Sequence, residues 1–445
     1  MPYADWPRPD LTDRLLRALA VAGKVVEAFA SSGYDEPDEA EVGFPADKAV
    51  AETAMLLHAA APAAADPRIG APVAAIAAAL AGAARTEVVL LRAALHPSIA
   101  EGLSVPHVLL SRLGYPDPAA DIILAACAAA PAAMARELPP YGTLEKLWIR
   151  ELWGRPVPAS AWHQTMGASG LATTPDAVGG TREDSYAFTH ALMYVTDFGS
   201  RADRLPRPAP ALLGDARTLL AVCVDSGDYD LAGELLMAWP FLGAPWSAAA
   251  SFAFGVLAMV EDRAGLLPGG TTNAERLRGM DGERRRRYAL GTAYHTAYVM
   301  GMLCAVSLRP GRAPSASPGG VADEEPVPVG VVRHIMVDQP DVVAALARLS
   351  EQELEAVAPF LLDVTVAQAI RTQAYGRLAD LLRAVSASGW PGTELTRQAA
   401  ALLGRVALVA ATPRRPIAGG PAAAPVEGPP AAPIVDAAAA SVPAT

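Results

Sequence analysis

Cysteine is scarce in this sequence, which has only Cys127, Cys223 and Cys304 among its 445 residues. The number is odd and each cysteine lies in an apolar stretch, so we do not expect a disulfide framework. The first ten residues, MPYADWPRPD, lack the basic and apolar segments of a secretory signal. These two absences predict a cytoplasmic protein in a reducing compartment.

An excess of basic charge is also missing, because the formal net charge is -11. A chain with this acidic balance lacks the excess positive charge that binds nucleic acid or an anionic membrane. The one basic run, Arg284 to Arg287, is interpreted as the solvated start of a helix. The longest run of small residues, Ala71 to Ala84, is shorter than the roughly 20 residues that a membrane span needs. We expect neither a nucleic-acid nor a membrane partner, and the oligomeric state stays open.

The familiar cofactor and metal motifs are absent as well. No GxGxxG, GxxxxGK[ST] or GxSxG occurs, nor any HxxxH, HExxH or CxxC spacing. We therefore expect no nucleotide cofactor and no metal, although two histidines with Asp197 and Cys304 could in principle form a tetrahedral set. The acidic segment from Asp225 to Asp230 is interpreted as a turn between two helices, with Gly227 ending one and Asp228 capping the next.

What the sequence has in abundance is alanine and other apolar residues, with a hydrophobic share of 52%. Strand-like alternation of Val, Ile and Thr is rare, so the composition predicts an all-α protein. A short internal similarity between Asp230–Leu236 and Arg377–Leu382 suggests stacked antiparallel helical hairpins. Such hairpins form either a closed α/α toroid, preferred here because it makes a central pocket, or an open α-solenoid.

Proline, glycine and serine divide the chain into regions. The predicted regions are a main helical domain with a central polar pocket at 1–308, a linker or exposed loop at 309–328, C-terminal helices packing on the main domain at 329–411, and a disordered Pro/Ala-rich tail at 412–445.

One helix combines the polar residues that are best suited to chemistry. Tyr186, His190 and Asp197 lie within about 40° of one another on a helix of 100° per residue. The other faces of this helix are apolar, so its polar groups need partners or a polar pocket. On a second apolar helix, His295 could meet His190 across a cavity.

The segment Y-x-x-x-H-x-x-x-Y-x-T-D-F-G that begins at Tyr186 carries a resemblance, together with Tyr294-His295-Thr296-Ala297-Tyr298-Val299. Both segments resemble a family of uncharacterised helical proteins from high-GC bacteria, over roughly Leu144 to Leu308. The resemblance implies that Thr189, His190, Thr196, Asp197 and His295 belong to one site, and it implies no reaction.

These residue types suit acid/base catalysis. Histidine exchanges protons near neutral pH, an aspartate can orient it, and tyrosine can donate to a developing oxyanion. We therefore predict His190, Asp197, Tyr186 and His295 as catalytic residues. Six further residues are predicted to bind substrate: Thr189, Tyr194, Thr196, Trp153, Trp162 and His163. The competing interpretation is that both histidines are hydrogen-bonded core residues that join neighbouring helices.

The resulting hypothesis is a cofactor-independent acid/base enzyme of specialised, natural-product metabolism that acts on a small molecule or peptide. Peptide modification or cyclisation is the reaction class that the missing motifs contradict least. The alternative is a non-catalytic helical-repeat protein that serves as an interaction or regulatory scaffold.

Overall fold

The computed structural model describes residues 5–30, 46–270, 272–318 and 325–412. Throughout these residues the regular structure is helical, without any strand, and one isolated bridge joins Asp5 to Ser315. The all-α prediction is confirmed. The helices are α1 (Arg8–Ala30), α2 (Ala46–Ala60), α3 (Pro67–Ala83), α4 (Glu87–Leu95), α5 (Pro97–Arg112), α6 (Pro118–Ala129), α7 (Pro140–Leu152), α8 (Ala159–Gly167), α9 (Arg182–Thr196), α10 (Ala209–Ser226), α11 (Tyr229–Leu236), α12 (Ala238–Leu242), α13 (Ala248–Ala264), α14 (Ala274–Arg278), α15 (Gly282–Ser307), α16 (Val329–Val332), α17 (Pro340–Leu346), α18 (Glu351–Arg371), α19 (Tyr375–Ser388) and α20 (Glu394–Ala411).

Helices α1 and α15 form the most extensive helix pair of the core. Gly301 lets them approach closely, because a Cβ atom there would overlap the side chain of Ala18. The apolar face of α1, which includes Leu11, Leu15 and Leu19, is fully buried. This pairing holds α15 against the first helix of the described chain.

Four helices then bring polar side chains together. Helix α15 packs against α2 and α11, and α11 in turn packs against α9. Helix α7 covers another side of α9. Residues far apart in sequence, from α2 to α15, therefore meet around α11.

The C-terminal helices have their own apolar cluster on α18, α19 and the beginning of α20. Helix α18 also packs against α10 and α13. The chain divides into two compact units, residues 1–403 and 404–445. Of the second unit the structure describes residues 404–412, so the predicted tail at 412–445 lies outside the described residues from 413 onward.

The structure places some helix boundaries differently from the sequence pattern. The apolar stretch from 72 to 95 is two helices, because Thr86 caps α4 through its side chain. Trp162 lies within the short helix α8 (Ala159–Gly167). Residues 351–371 form one helix, α18, that continues through Pro359.

Over the described residues, no single helix has both the length and the apolar composition needed to cross a membrane. One pair, α3 with α4, meets those two criteria jointly but is bent by 57° at its break.

Candidate functional site

Helix α9 presents Tyr186 and His190 together near its beginning. Thr181 and Asp184 form a capping box that fixes the first turn. The two rings stack with centroids 3.7 Å apart. His190 Nδ1 lies 3.1 Å from the Tyr186 carbonyl oxygen, which only accepts hydrogen bonds, so Nδ1 carries the proton of the neutral ring. Nε2 is then the basic nitrogen, and none of the hydrogen bonds among the described residues occupies it.

A buried carboxylate, Glu234 of α11, lies between the two predicted histidines. Oε2 accepts from the Thr189 hydroxyl at 2.5 Å and lies 3.4 Å from His190 Nδ1, whereas Oε1 lies 3.8 Å from His295 Nε2. Burial alone would raise the pKa of Glu234, but the two histidines hold it well below its usual range. The structure therefore brings His190 and His295 to one carboxylate, which the sequence analysis did not select.

His295 is surrounded by acidic groups. Its Nδ1 lies 3.0 Å from Glu52 Oε1, and its Nε2 lies 3.4 Å from Asp230 Oδ2. Burial alone would lower the pKa of His295, but Glu52, Asp230 and Glu234 raise it well above its ordinary value. Each ring nitrogen of His295 therefore has a carboxylate oxygen within 3.4 Å.

Asp230 belongs to this cluster although its segment was interpreted as a turn. The turn itself is present, because Gly227 has a positive φ of 72° and the Asp228 carboxylate accepts from Leu231 N. Arg182, at the beginning of α9, donates hydrogen bonds to both acidic residues of this turn. It donates to the Asp228 carboxylate and, at 3.1 Å, to Asp230 Oδ2. The arginine holds Asp230 toward His295.

Asp197 is part of a different cluster. Its Oδ1 accepts hydrogen bonds from Trp148 Nε1 at 2.8 Å and His58 Nε2 at 3.1 Å. The expected single stripe is thus two sites, because seven residues separate His190 from Asp197 and correspond to about 10 Å along a helix. Residues on one face meet different neighbours at different heights.

Two predicted substrate-binding residues on α9 have structural partners. The hydroxyl of Tyr194 donates to Glu145 Oε1 at 3.1 Å, and Tyr194 is buried. The hydroxyl of Thr196 donates to the Leu192 carbonyl at 2.8 Å and accepts from Gly199 N. Thr196 therefore closes the end of its own helix.

The remaining predicted residues line other parts of the molecule. Trp153 donates from Nε1 to Asp121 Oδ1 at 2.5 Å, beside His107. Trp162 and His163 line a cavity of about 540 Å³ whose wall includes Arg204. None of the residues that line this cavity belongs to the Glu234 cluster.

The described geometry around His190 resembles a histidine–carboxylate dyad. One ring nitrogen is fixed by a carbonyl and by the Glu234 carboxylate, and the other is free to accept a proton. The rings of Tyr141 and Tyr186 form an aromatic wall beside it, at centroid distances of 6.0 and 3.7 Å from His190.

Comparison with known proteins places the chain in a family without assigning it a reaction. No curated protein and no solved structure matches it. A family model described as a domain of unknown function, DUF6895, matches residues 15–305. That range contains every residue of the cluster around Glu234 and begins far earlier than the Leu144 expected from the motif. The chain therefore belongs to the DUF6895 family.

Proposed function

We propose that this protein is a cytoplasmic enzyme of specialised metabolism that transfers a proton with His190 as the base. Its substrate is a small molecule or a peptide, and peptide modification or cyclisation is the favoured reaction. The proposal includes the stacking of the helices as hairpins, with the α/α toroid preferred over the open solenoid.

One observation carries the proposal. His190 is anchored through Nδ1 while Nε2 is unoccupied, and its side chain is 11% exposed. A core histidine that only joins helices is expected to use both nitrogens. Glu234 can stabilise the imidazolium that forms when Nε2 accepts a proton, which is the role of the carboxylate in a catalytic dyad.

Tyr186 has a supporting role in this scheme. Burial and the neighbouring carboxylates Glu234 and Glu52 raise the pKa of its hydroxyl well above the ordinary value, so the hydroxyl stays protonated. A protonated tyrosine beside the base can donate a hydrogen bond to a substrate oxygen as negative charge develops there.

The proposal is tested with His190→Gln, which keeps an N–H donor for the Tyr186 carbonyl but removes the basic nitrogen. A host strain that lacks the gene is complemented with wild-type protein or with the variant, and its metabolites are compared by mass spectrometry. We expect the variant to form product at least about 100-fold more slowly, because general-base catalysis contributes about 10²–10⁴-fold.

The control is His96→Gln, since His96 is exposed and remote from Glu234 in the described contacts. Both purified variants should unfold within a few degrees of the wild type. If His190→Gln restores full product formation, the enzyme proposal is wrong, and the scaffold hypothesis replaces it.

A further inference from the structure

Asp230, Glu234 and His295 meet at one point. The carboxylates are four residues apart on α11, so they share a face of that helix, and His295 faces them from α15. One ligand atom from each residue lies within 4.8 Å of the other two.

The spacing of these atoms suits a metal ion better than direct hydrogen bonds. His295 Nε2 lies 3.4 Å from Asp230 Oδ2 and 3.8 Å from Glu234 Oε1. Charge-assisted N–H···O bonds are about 2.7–2.9 Å long. Ligands about 2.1 Å from a tetrahedral zinc ion are separated by about 3.4 Å.

Each ligand also has a partner that fixes its orientation. Glu52 Oε1 lies 3.0 Å from His295 Nδ1, which is the carboxylate–histidine–metal arrangement that directs Nε2 at an ion. Thr189 holds the other oxygen of Glu234, and Arg182 holds Asp230.

A second, independent observation points to a missing ligand. Asp230 is 8% exposed, and its Oδ1 is buried without a hydrogen-bond partner in the described structure. A buried oxygen that is left unpaired costs about 1–3 kcal/mol or more when charged. A cation bound to this carboxylate would offset that cost, because its charge acts on both oxygens of Asp230.

We propose that Asp230, Glu234 and His295 bind one first-row divalent cation. Mixed imidazole and carboxylate ligands favour Zn²⁺, Fe²⁺ or Mn²⁺ over the all-oxygen sites of Mg²⁺ and Ca²⁺. Three protein ligands leave coordination positions for water or substrate. This site replaces the expectation of no metal, which rested on local motifs, whereas these ligands come from two helices.

Zinc titration of the untagged, full-length protein after chelator treatment tests the site by calorimetry. We expect one Zn²⁺ per chain, at least about 100-fold weaker binding in His295→Gln, and about 10–100-fold weaker binding in Glu52→Gln, which removes only the orienting carboxylate. His96→Gln should bind Zn²⁺ like the wild type, because His96 is exposed and outside this cluster. Calorimetry reads the binding of the ion alone, so this result is separate from the test of the base.

Anomalous diffraction at the zinc edge, from wild-type crystals soaked in Zn²⁺, tests the site without any variant. Density among the three side chains supports the proposal. Equal binding by the wild type and a folded His295→Gln, or zinc density only elsewhere, overturns it.

Discussion

At the scale of single residues, Asp197 shows how neighbours set the state of a carboxylate. Burial alone would raise its pKa, but hydrogen bonds from His58 and Trp148, with the charge of Arg201, keep the pKa below the usual range. Its φ of 46° is in the left-handed region, which asparagine also tolerates. The substitution Asp197→Asn therefore changes charge with little change in backbone strain.

We expect Asp197→Asn to lower the free energy of unfolding by about 1–3 kcal/mol at pH 7. A carboxyl with a lowered folded pKa stabilises the protein above its unfolded pKa of about 3.9, and that stability is lost as pH falls through the folded pKa. The difference in the free energy of unfolding between Asp197→Asn and the wild type should thus become smaller below pH 4. Denaturant unfolding from pH 3 to 7 measures it, with the surface variant Asp380→Asn as control. If Asp197→Asn loses the same free energy of unfolding at pH 3 as at pH 7, the effect comes from packing rather than from charge.

At the scale of elements, the sequence predicts a helix that begins after Asp228, as α11 does, but it does not predict that this helix is buried on every side. All eight residues of α11 are buried, although Asp230 and Glu234 are among them. Charged residues are rarely buried unless paired, so a single sequence favours placing them outside. His190 and His295 could be selected because they stand out on apolar helices. Their shared carboxylate, Glu234, could not be selected from the sequence. Its contacts with the two histidines depend on how α9, α11 and α15 pack.

Gly301 offers a test of the packing between α1 and α15. A methyl group there would overlap Ala18 and approach Leu56, so we expect Gly301→Ala to cost about 1–3 kcal/mol through overpacking. The matched control is Gly255→Ala on α13, where a Cβ meets nothing within 4 Å. That change should stabilise the protein by about 0.5–1 kcal/mol, because alanine favours the helix. Chemical denaturation measures the free energy of unfolding of both variants. If both variants are stabilised, or both are destabilised, the prediction is wrong.

At the scale of the whole molecule, buried ion pairs connect helices that are distant in sequence. Arg14 of α1 pairs with Glu261 of α13, and Arg217 of α10 lies 3.2 Å from Asp363 of α18. Burial raises the pKa of Asp363 to about 6 even though Arg217 and Thr393 favour its charged form. Such pairs are expected to add little net stability, because removing two charges from water is costly.

Removing the arginine of a buried ion pair should therefore destabilise the protein, because the carboxylate is left buried without its counter-charge. We expect Arg217→Met to destabilise the protein by about 3–5 kcal/mol at pH 8, where Asp363 would be a buried, unpaired anion. A carboxyl with a raised folded pKa destabilises as pH rises, so part of the loss should return at pH 5, where Asp363 is protonated. Arg217→Met with Asp363→Asn should recover most of the stability at pH 8, since the amide oxygen still accepts from Thr393. A loss for Arg217→Met that is independent of pH and is not recovered by the second change would show that the packing of the arginine stem, rather than its charge, joins α10 to α18.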